Sequence, residues 1–228
     1  MGTSEIFGRT ELLIGRQALE KLKGSRVCVF GVGGVGSYVV EALSRSGVGA
    51  LDIVDNDKVV PSNINRQIIA LGSTVGRDKV DVIRERILDI NPECSVNTHK
   101  CFYLPETADE FDFSSYDYVV DAIDTVTAKI DIIVRCKALG IHVISSMGTG
   151  FKLDPTKVEV TDIYKTRTDP LARVMRRELK NRGIKELKVV YSSEAPIKPS
   201  DVESDYTEES AGRRRGTTAS IAFVPSVA

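Results

Sequence analysis

Arg26-Val-Cys-Val-Phe-Gly31-Val-Gly33-Gly34-Val-Gly36 is a short apolar strand running into a glycine-rich turn, and Ser37-Tyr-Val-Val-Glu-Ala-Leu-Ser-Arg45 continues it with the pattern of a helix. A strand, a glycine turn and a helix in that order make a phosphate cradle. The glycines let the backbone turn sharply and approach an anion, and the helix N-terminus adds N–H donors and a favourable dipole. A second strand, Ala50-Leu-Asp-Ile-Val-Asp55, ends in a carboxylate 19 residues after Gly36, the spacing at which a ribose hydroxyl is held. Gly31, Gly33, Gly34, Gly36 and Asp55 therefore read as nucleotide-binding residues.

Outward from this unit, apolar runs near 26–30, 50–55, 95–101, 116–121 and 142–146 alternate with helical patterns at 16–23, 36–46, 77–90 and 125–139. The alternation predicts an α/β fold: a Rossmann-like, doubly wound, mostly parallel sheet with helices on both faces. Such sheets bind ligands outside the carboxyl ends of their strands, where the glycine turn, Asp55 and Asp124 are all expected. Residues 1–150 read as the nucleotide-binding domain with an N-terminal helical arm. Residues 151–228 read as a smaller, substrate-facing extension with strands at 157–163 and 187–193, a basic helix at 170–182, and a mobile loop at 195–216 rich in Pro, then acids, then Gly212-Arg-Arg-Arg-Gly216.

The glycine pattern alone fits a nicotinamide-dependent dehydrogenase as well as an ATP-binding enzyme. The residues downstream of Asp55 discriminate. Asp57 and Asn63-Ile-Asn65-Arg66-Gln67 form a polar cluster with a fixed cation, and Val75-Gly-Arg-Asp-Lys79 opens another amphipathic helix. Two cations, Arg66 and Lys79, suit the triphosphate of ATP, Arg by forked contacts and Lys as a point charge. The run Tyr116-Asp-Tyr-Val-Val-Asp121-Ala-Ile-Asp124 puts carboxylates at another strand end, where they could hold magnesium or cap the helix starting near Thr125.

Composition bounds the rest. The 228 residues are 42% hydrophobic and 28% charged, enough for a sizeable core, and the net charge of −1 provides no global field to draw in nucleic acid. The charges are unevenly placed, however. Residues 103–124 hold seven acids and no Lys or Arg, whereas residues 165–188 hold nine Lys or Arg against three acids. Arg173, Arg176, Arg177 and Lys180 are spaced so that several of them share one helix face, and with Arg213 to Arg215 they make a candidate surface for a phosphate backbone. Cys28, Cys94, Cys101 and Cys136 include no C-x-x-C pair, so zinc and a cysteine relay are not expected, and a reduced, cytoplasmic protein is. The N-terminus carries neither a myristoylation pattern nor a signal-peptide pattern.

On Gly31 to Gly36, Asp55, Asn63 to Gln67, Lys79, Asp121 to Asp124, Phe7 to Gly15 and Val160 to Leu171, the chain resembles the ThiF/MoeB/HesA family of ubiquitin-activating-enzyme-like adenylyltransferases, and within it the branch that modifies tRNA. The resemblance implies ATP and Mg2+ as cofactors. Asp124 would be the metal ligand, and Asp57, Asn65, Arg66 and Lys79 would lie around the nucleotide. Arg66, Lys79, Asp124 and Arg9 would be the catalytic residues, with Arg9 reaching across a homodimer to the partner's triphosphate. The implied substrate is the carboxylate of threonylcarbamoyladenosine beside the tRNA anticodon, adenylated and then cyclised with loss of water, and a sulfur-transfer protein is a further implied partner. Two rivals stand beside this reading: adenylation of the C-terminus of a ubiquitin-like or sulfur-carrier protein, and an NAD-dependent oxidoreductase. In the resembled family Phe223-Val-Pro-Ser-Val-Ala228 leads into a further helix, so a continuation is expected there.

Overall fold

The computed structural model describes residues 3–197 and 219–228. Among the described residues seven strands form one sheet: β1 (Arg26–Phe30), β2 (Ala50–Val54), β3 (Ser95–His99), β4 (Tyr118–Asp121), β5 (His142–Ser146), β6 (Val158–Asp162) and β7 (Lys188–Ser192). Their order is β3-β2-β1-β4-β5-β7-β6. Every neighbouring pair is parallel except β6 with β7. This is the mostly parallel α/β sheet expected from the alternation. The antiparallel edge strand β6 and the insertion of β7 between β5 and β6 carry the sheet beyond residue 150.

Strand order reverses between β1 and β4, whose neighbours lie on opposite sides. A crevice opens outside the carboxyl ends of the strands at such a switch point. The glycine turn follows β1 and Asp121 to Asp124 end and follow β4, so the sheet itself brings the two segments together.

Alternate side chains of β1 enter different cores. Val27 and Val29 pack with Val40 of α3 (Gly36–Arg45) and with Val80, Ile83 and Ile87 of α4 (Lys79–Ile90). Cys28 and Phe30 pack on the other face with Ile132, Ile133 and Cys136 of α5 (Val126–Leu139) and with the aromatic cluster Tyr103, Phe111 and Phe113. The same core takes Met175 and Leu179 of α6 (Pro170–Asn181). Before the sheet come α1 (Thr3–Ile14) and α2 (Arg16–Lys23), separated by Gly15, whose φ of 82° breaks the helix.

Two buried ion pairs link elements of the second core. Lys129 of α5 donates to Asp121 of β4 and to the carbonyls of Ile123 and Ser146, while the Ser145 hydroxyl of β5 donates to the same Asp121. Lys152 donates to Asp169 and to the Ser192 carbonyl, and Asp169 also accepts from the Ala172 N–H as the N-cap of α6. Among the described residues no helix is long and apolar enough to cross a membrane. The loop expected at 195–216 lies outside the described residues from position 198 onward, as does the Arg213 to Arg215 patch.

Candidate nucleotide site at the switch point

The glycine turn is built by close approach. Gly31 has a φ of 90°, and a Cβ there would meet the Ala122 carbonyl oxygen at 2.9 Å; a Cβ on Gly36 would fall 1.8 Å from the Gly31 carbonyl oxygen. Only glycine fits at either position. Gly33 differs, since nothing lies within 4 Å of where its Cβ would be. The turn thus closes against β4 on one side and opens to a ligand at Gly33.

Asp55 sits just past β2 and ties its loop to the turn. Its carboxylate accepts from the Val32 N–H at 2.7 Å and from the Asp57 N–H at 2.8 Å. Burial pushes this carboxyl above its ordinary range, and Lys79 and the two backbone donors offset that only in part. Lys79, the first residue of α4, is only 4% exposed. Its ammonium lies 2.8 Å from Asp57 Oδ2 and 4.0 Å from Asp55 Oδ1. Asp55, Asp57 and Lys79 therefore form one charged group beside the open face of the turn.

Arg66 approaches the turn from a different loop. Its Cγ lies 3.7 Å from the position a Cβ on Gly34 would take, and its guanidinium donates to the Ser62 carbonyl at 2.8 Å and to Asn65 Oδ1 at 3.0 Å. Both acceptors are neutral, so the cation keeps its charge for an anionic ligand. Gln67, next in the chain, is buried, and its Oε1 has no hydrogen-bond partner among the described residues.

The two strand-end carboxylates separate. Asp121 is wholly buried and neutralised by Lys129. It neither caps α5, whose N-cap is Thr125, nor faces a ligand, which corrects the reading that grouped it with Asp124. Asp124 is exposed at the mouth of the crevice, its Oδ1 3.4 Å from the Thr125 hydroxyl. Magnesium keeps most of its waters and binds through one or two carboxylates and the phosphates of its substrate, and an exposed carboxylate beside a phosphate cradle fits that demand.

Arg9 is not brought to this site in its own chain. Phe7, two residues earlier on α1, packs 3.5 Å from the Cβ position of Gly47, beyond the far end of α3. The ten residues of α3 separate that end from the glycine turn by about 15 Å. A cleft of about 590 Å³ lined by Tyr118, His142 and Lys188 also opens at the amino ends of the strands, away from the turn.

On α6, Arg173, Arg177 and Lys180 are exposed, whereas Arg176 is partly buried and donates to the Thr166 carbonyl at 3.0 Å. Arg176 therefore does not join the other three on the solvent side of the helix. Three cysteines are buried and Cys101 is partly so. Burial pushes the thiol of Cys94 up to about 11 and that of Cys136 to about 12, so neither carries a thiolate at neutral pH.

Sequence reasoning missed the contact between the C-terminal segment and the site. Pro225 Cβ lies 3.2 Å from the Cβ position of Gly34, and Asn65 donates to the Ser220 carbonyl at 2.9 Å. No local signal announces a partner 155 residues away.

The chain matches the ThiF family over residues 7–194. It belongs to that family. It is 49% identical over 226 residues to the tRNA threonylcarbamoyladenosine dehydratase of Bacillus subtilis, covering 97% of this chain and 89% of the relative. Among solved structures, that of Escherichia coli tRNA N6-threonylcarbamoyladenosine dehydratase in complex with ATP superposes with a TM-score of 0.86 at 36% identity, over 98% of this chain and 88% of that one. The complex of the same protein with AMP gives 0.87 at 36% identity, over 98% and 89%.

Proposed function

We propose that the chain adenylates the carboxylate of threonylcarbamoyladenosine in tRNA at the expense of ATP and drives its cyclisation. The observation that carries this reading is the convergence, at one switch point, of an open glycine turn, the Asp55–Asp57–Lys79 group and a charged Arg66. The family and the relatives solved with ATP and AMP support it. A nicotinamide enzyme has no use for two cations beyond its ribose-binding carboxylate.

In the first step a substrate carboxylate oxygen attacks the α-phosphorus of ATP, a P–O bond forms, and the bond to pyrophosphate breaks. Gly33, Gly34, Arg66 and Lys79 stabilise the phosphate charge, and Asp55 orients the ribose. Magnesium, held by Asp124, would supply further neutralisation of the phosphates. In the second step an atom of the same modified adenosine attacks the activated carbonyl, closing a ring as it loses its proton and as the bond from the carbonyl carbon to the AMP oxygen breaks. The leaving group is already in place, so no enzyme thiol is required, in keeping with four cysteines that lie in or against the core.

The working unit is a cytoplasmic homodimer in which Arg9 of one protomer completes the phosphate clamp of the other. Its position at the far end of α3 in its own chain favours action in trans. The exposed Arg173, Arg177 and Lys180 of α6 meet the tRNA backbone. ATP–pyrophosphate exchange tests the reading: exchange is expected with modified tRNA and absent with a Gly-Gly-terminated carrier protein or with no addition. Exchange that requires the carrier protein would transfer the chain to the protein-activating branch.

A further inference from the structure

The segment Ala219–Pro225 is distant in sequence from every residue of the candidate site, yet it contacts two of the loops that build it and the loop after β5. The Phe151 N–H, in the loop after β5, donates to the Ala219 carbonyl at 2.8 Å. Asn65 Nδ2 donates to the Ser220 carbonyl at 2.9 Å. Pro225 packs on the glycine turn, with Cβ and Cγ 3.2 and 3.6 Å from the Cβ position of Gly34. Val224 is fully buried, and bonds from Ser226 N–H to the Ala222 carbonyl and from Ala228 N–H to the Val224 carbonyl hold the segment in successive turns.

The contacts have a direction. A carboxamide has one donor end and one acceptor end, so a carbonyl on one side of Asn65 decides which way its group faces. Ser220 takes the donor end, which turns Oδ1 toward Arg66, where it accepts from the guanidinium at 3.0 Å. The glycine turn consequently has two unlike sides. At Gly33 it is open, and at Gly34 it is closed by Pro225 and the Arg66 stem.

We infer that Ala219–Pro225 is a positioning wall of the nucleotide site, which sets Asn65 and through it aims Arg66 at the triphosphate of ATP. This rests on the ATP reading above. It adds to that reading a segment outside every nucleotide-binding motif, and it predicts that ATP affinity depends on the packing of Pro225 against Gly34.

Hydrogen exchange on the unaltered protein, with and without ATP and magnesium, tests both levels at once. ATP is expected to slow exchange at the amides of Gly33 to Gly36 and also at those of Phe151, Ser226 and Ala228. Protection of the glycine turn without protection of the segment overturns the inference and leaves the ATP reading standing; protection at neither overturns both.

A mutant cycle supplies the second measurement. Gly34 has no positive φ, so Gly34→Ala is strained only by contact, chiefly with Pro225. Overpacking by one methyl is expected to weaken ATP binding about tenfold. Pro225→Gly removes the opposing ring, and the double variant is expected to bind ATP within about twofold of Pro225→Gly alone, a coupling that independent sites do not give. Additive losses, or no loss in Gly34→Ala, overturn the inference. Thermal melting of each variant establishes that it is folded.

Discussion

Lys79 is a buried ammonium set between two carboxylates, and its worth to the site is electrostatic. Without it, Asp55 would lose the main offset to a burial that already raises its carboxyl, and Asp57 would lose its partner. Replacing Lys79 with alanine is therefore expected to lower ATP–pyrophosphate exchange on the order of 10²- to 10³-fold, as does loss of a preorganised donor at other charged transition states. Asp124→Ala, at an exposed position, should lose exchange to a similar degree with an unchanged melting temperature. Exchange retained in both variants would remove the assigned roles. The gathering of Asp55, Arg66 and Lys79 around the glycine turn was legible because their order after it is itself a signal. The separation of Asp121 from Asp124 was not, because both read as carboxylates at a strand end. What separates them is Lys129, in the first turn of the next helix, whose direction follows from packing.

At the scale of elements, the buried Asp121–Lys129 pair fastens β4 to α5, and its Ser145 contact adds β5. Removing one partner leaves a charge in an apolar core. Lys129→Met is expected to cost about 3–5 kcal/mol, lowering the melting temperature by roughly 10 °C in a chain of this size. A second prediction concerns Asp52 on β2. Burial disfavours its ionised form, but hydrogen bonds from His99, Arg26 and Asn97 outweigh this and hold the carboxyl below its ordinary range. A depressed carboxyl stabilises the fold above its unfolded pKa of about 3.9, and that contribution is lost as pH falls toward and through the folded value. Urea midpoints measured between about pH 5 and pH 2 should therefore fall less steeply for Asp52→Asn than for the unaltered protein; parallel curves would count against the assignment.

Element positions were readable almost throughout: the helix expected at 16–23 is Arg16–Lys23, and the strand expected at 142–146 is His142–Ser146. Apolar periodicity is a local property. The placement of β7 between β5 and β6, and the antiparallel sense of β6, depend on which faces meet in space. Periodicity does not encode that.

For the whole molecule, the in-trans role proposed for Arg9 makes a prediction that a monomeric site does not. Arg9→Ala and Asp124→Ala proteins, each inactive, should recover part of the exchange activity when mixed, because a heterodimer then contains one intact site. Absence of recovery after verified subunit exchange would confine Arg9 to its own chain. On α1, Leu12 and Leu13 are 89% and 86% exposed a few residues from Arg9, an apolar end that would be covered in such a dimer. The surface of α6 makes the other prediction. Replacing Arg173, Arg177 and Lys180 together with glutamine should weaken tRNA binding and flatten its salt dependence by up to about three units of log–log slope, while ATP affinity is unchanged. An unchanged slope would clear α6 of any part in binding tRNA.

The position of β1, flanked by β2 and β4, has a consequence for how the protein comes to exist. The backbone N–H of Arg26 is hydrogen-bonded to Asp117, 91 residues further along, and the last strand to join the sheet begins at Lys188. Parallel pairings of this reach must close long loops before they return any stabilisation, so spontaneous refolding belongs to the slow end of the range. A nascent chain emerging from the ribosome exposes the apolar edge of β1 until β4, Tyr118–Asp121, has been made. It acquires its nucleotide cradle only then.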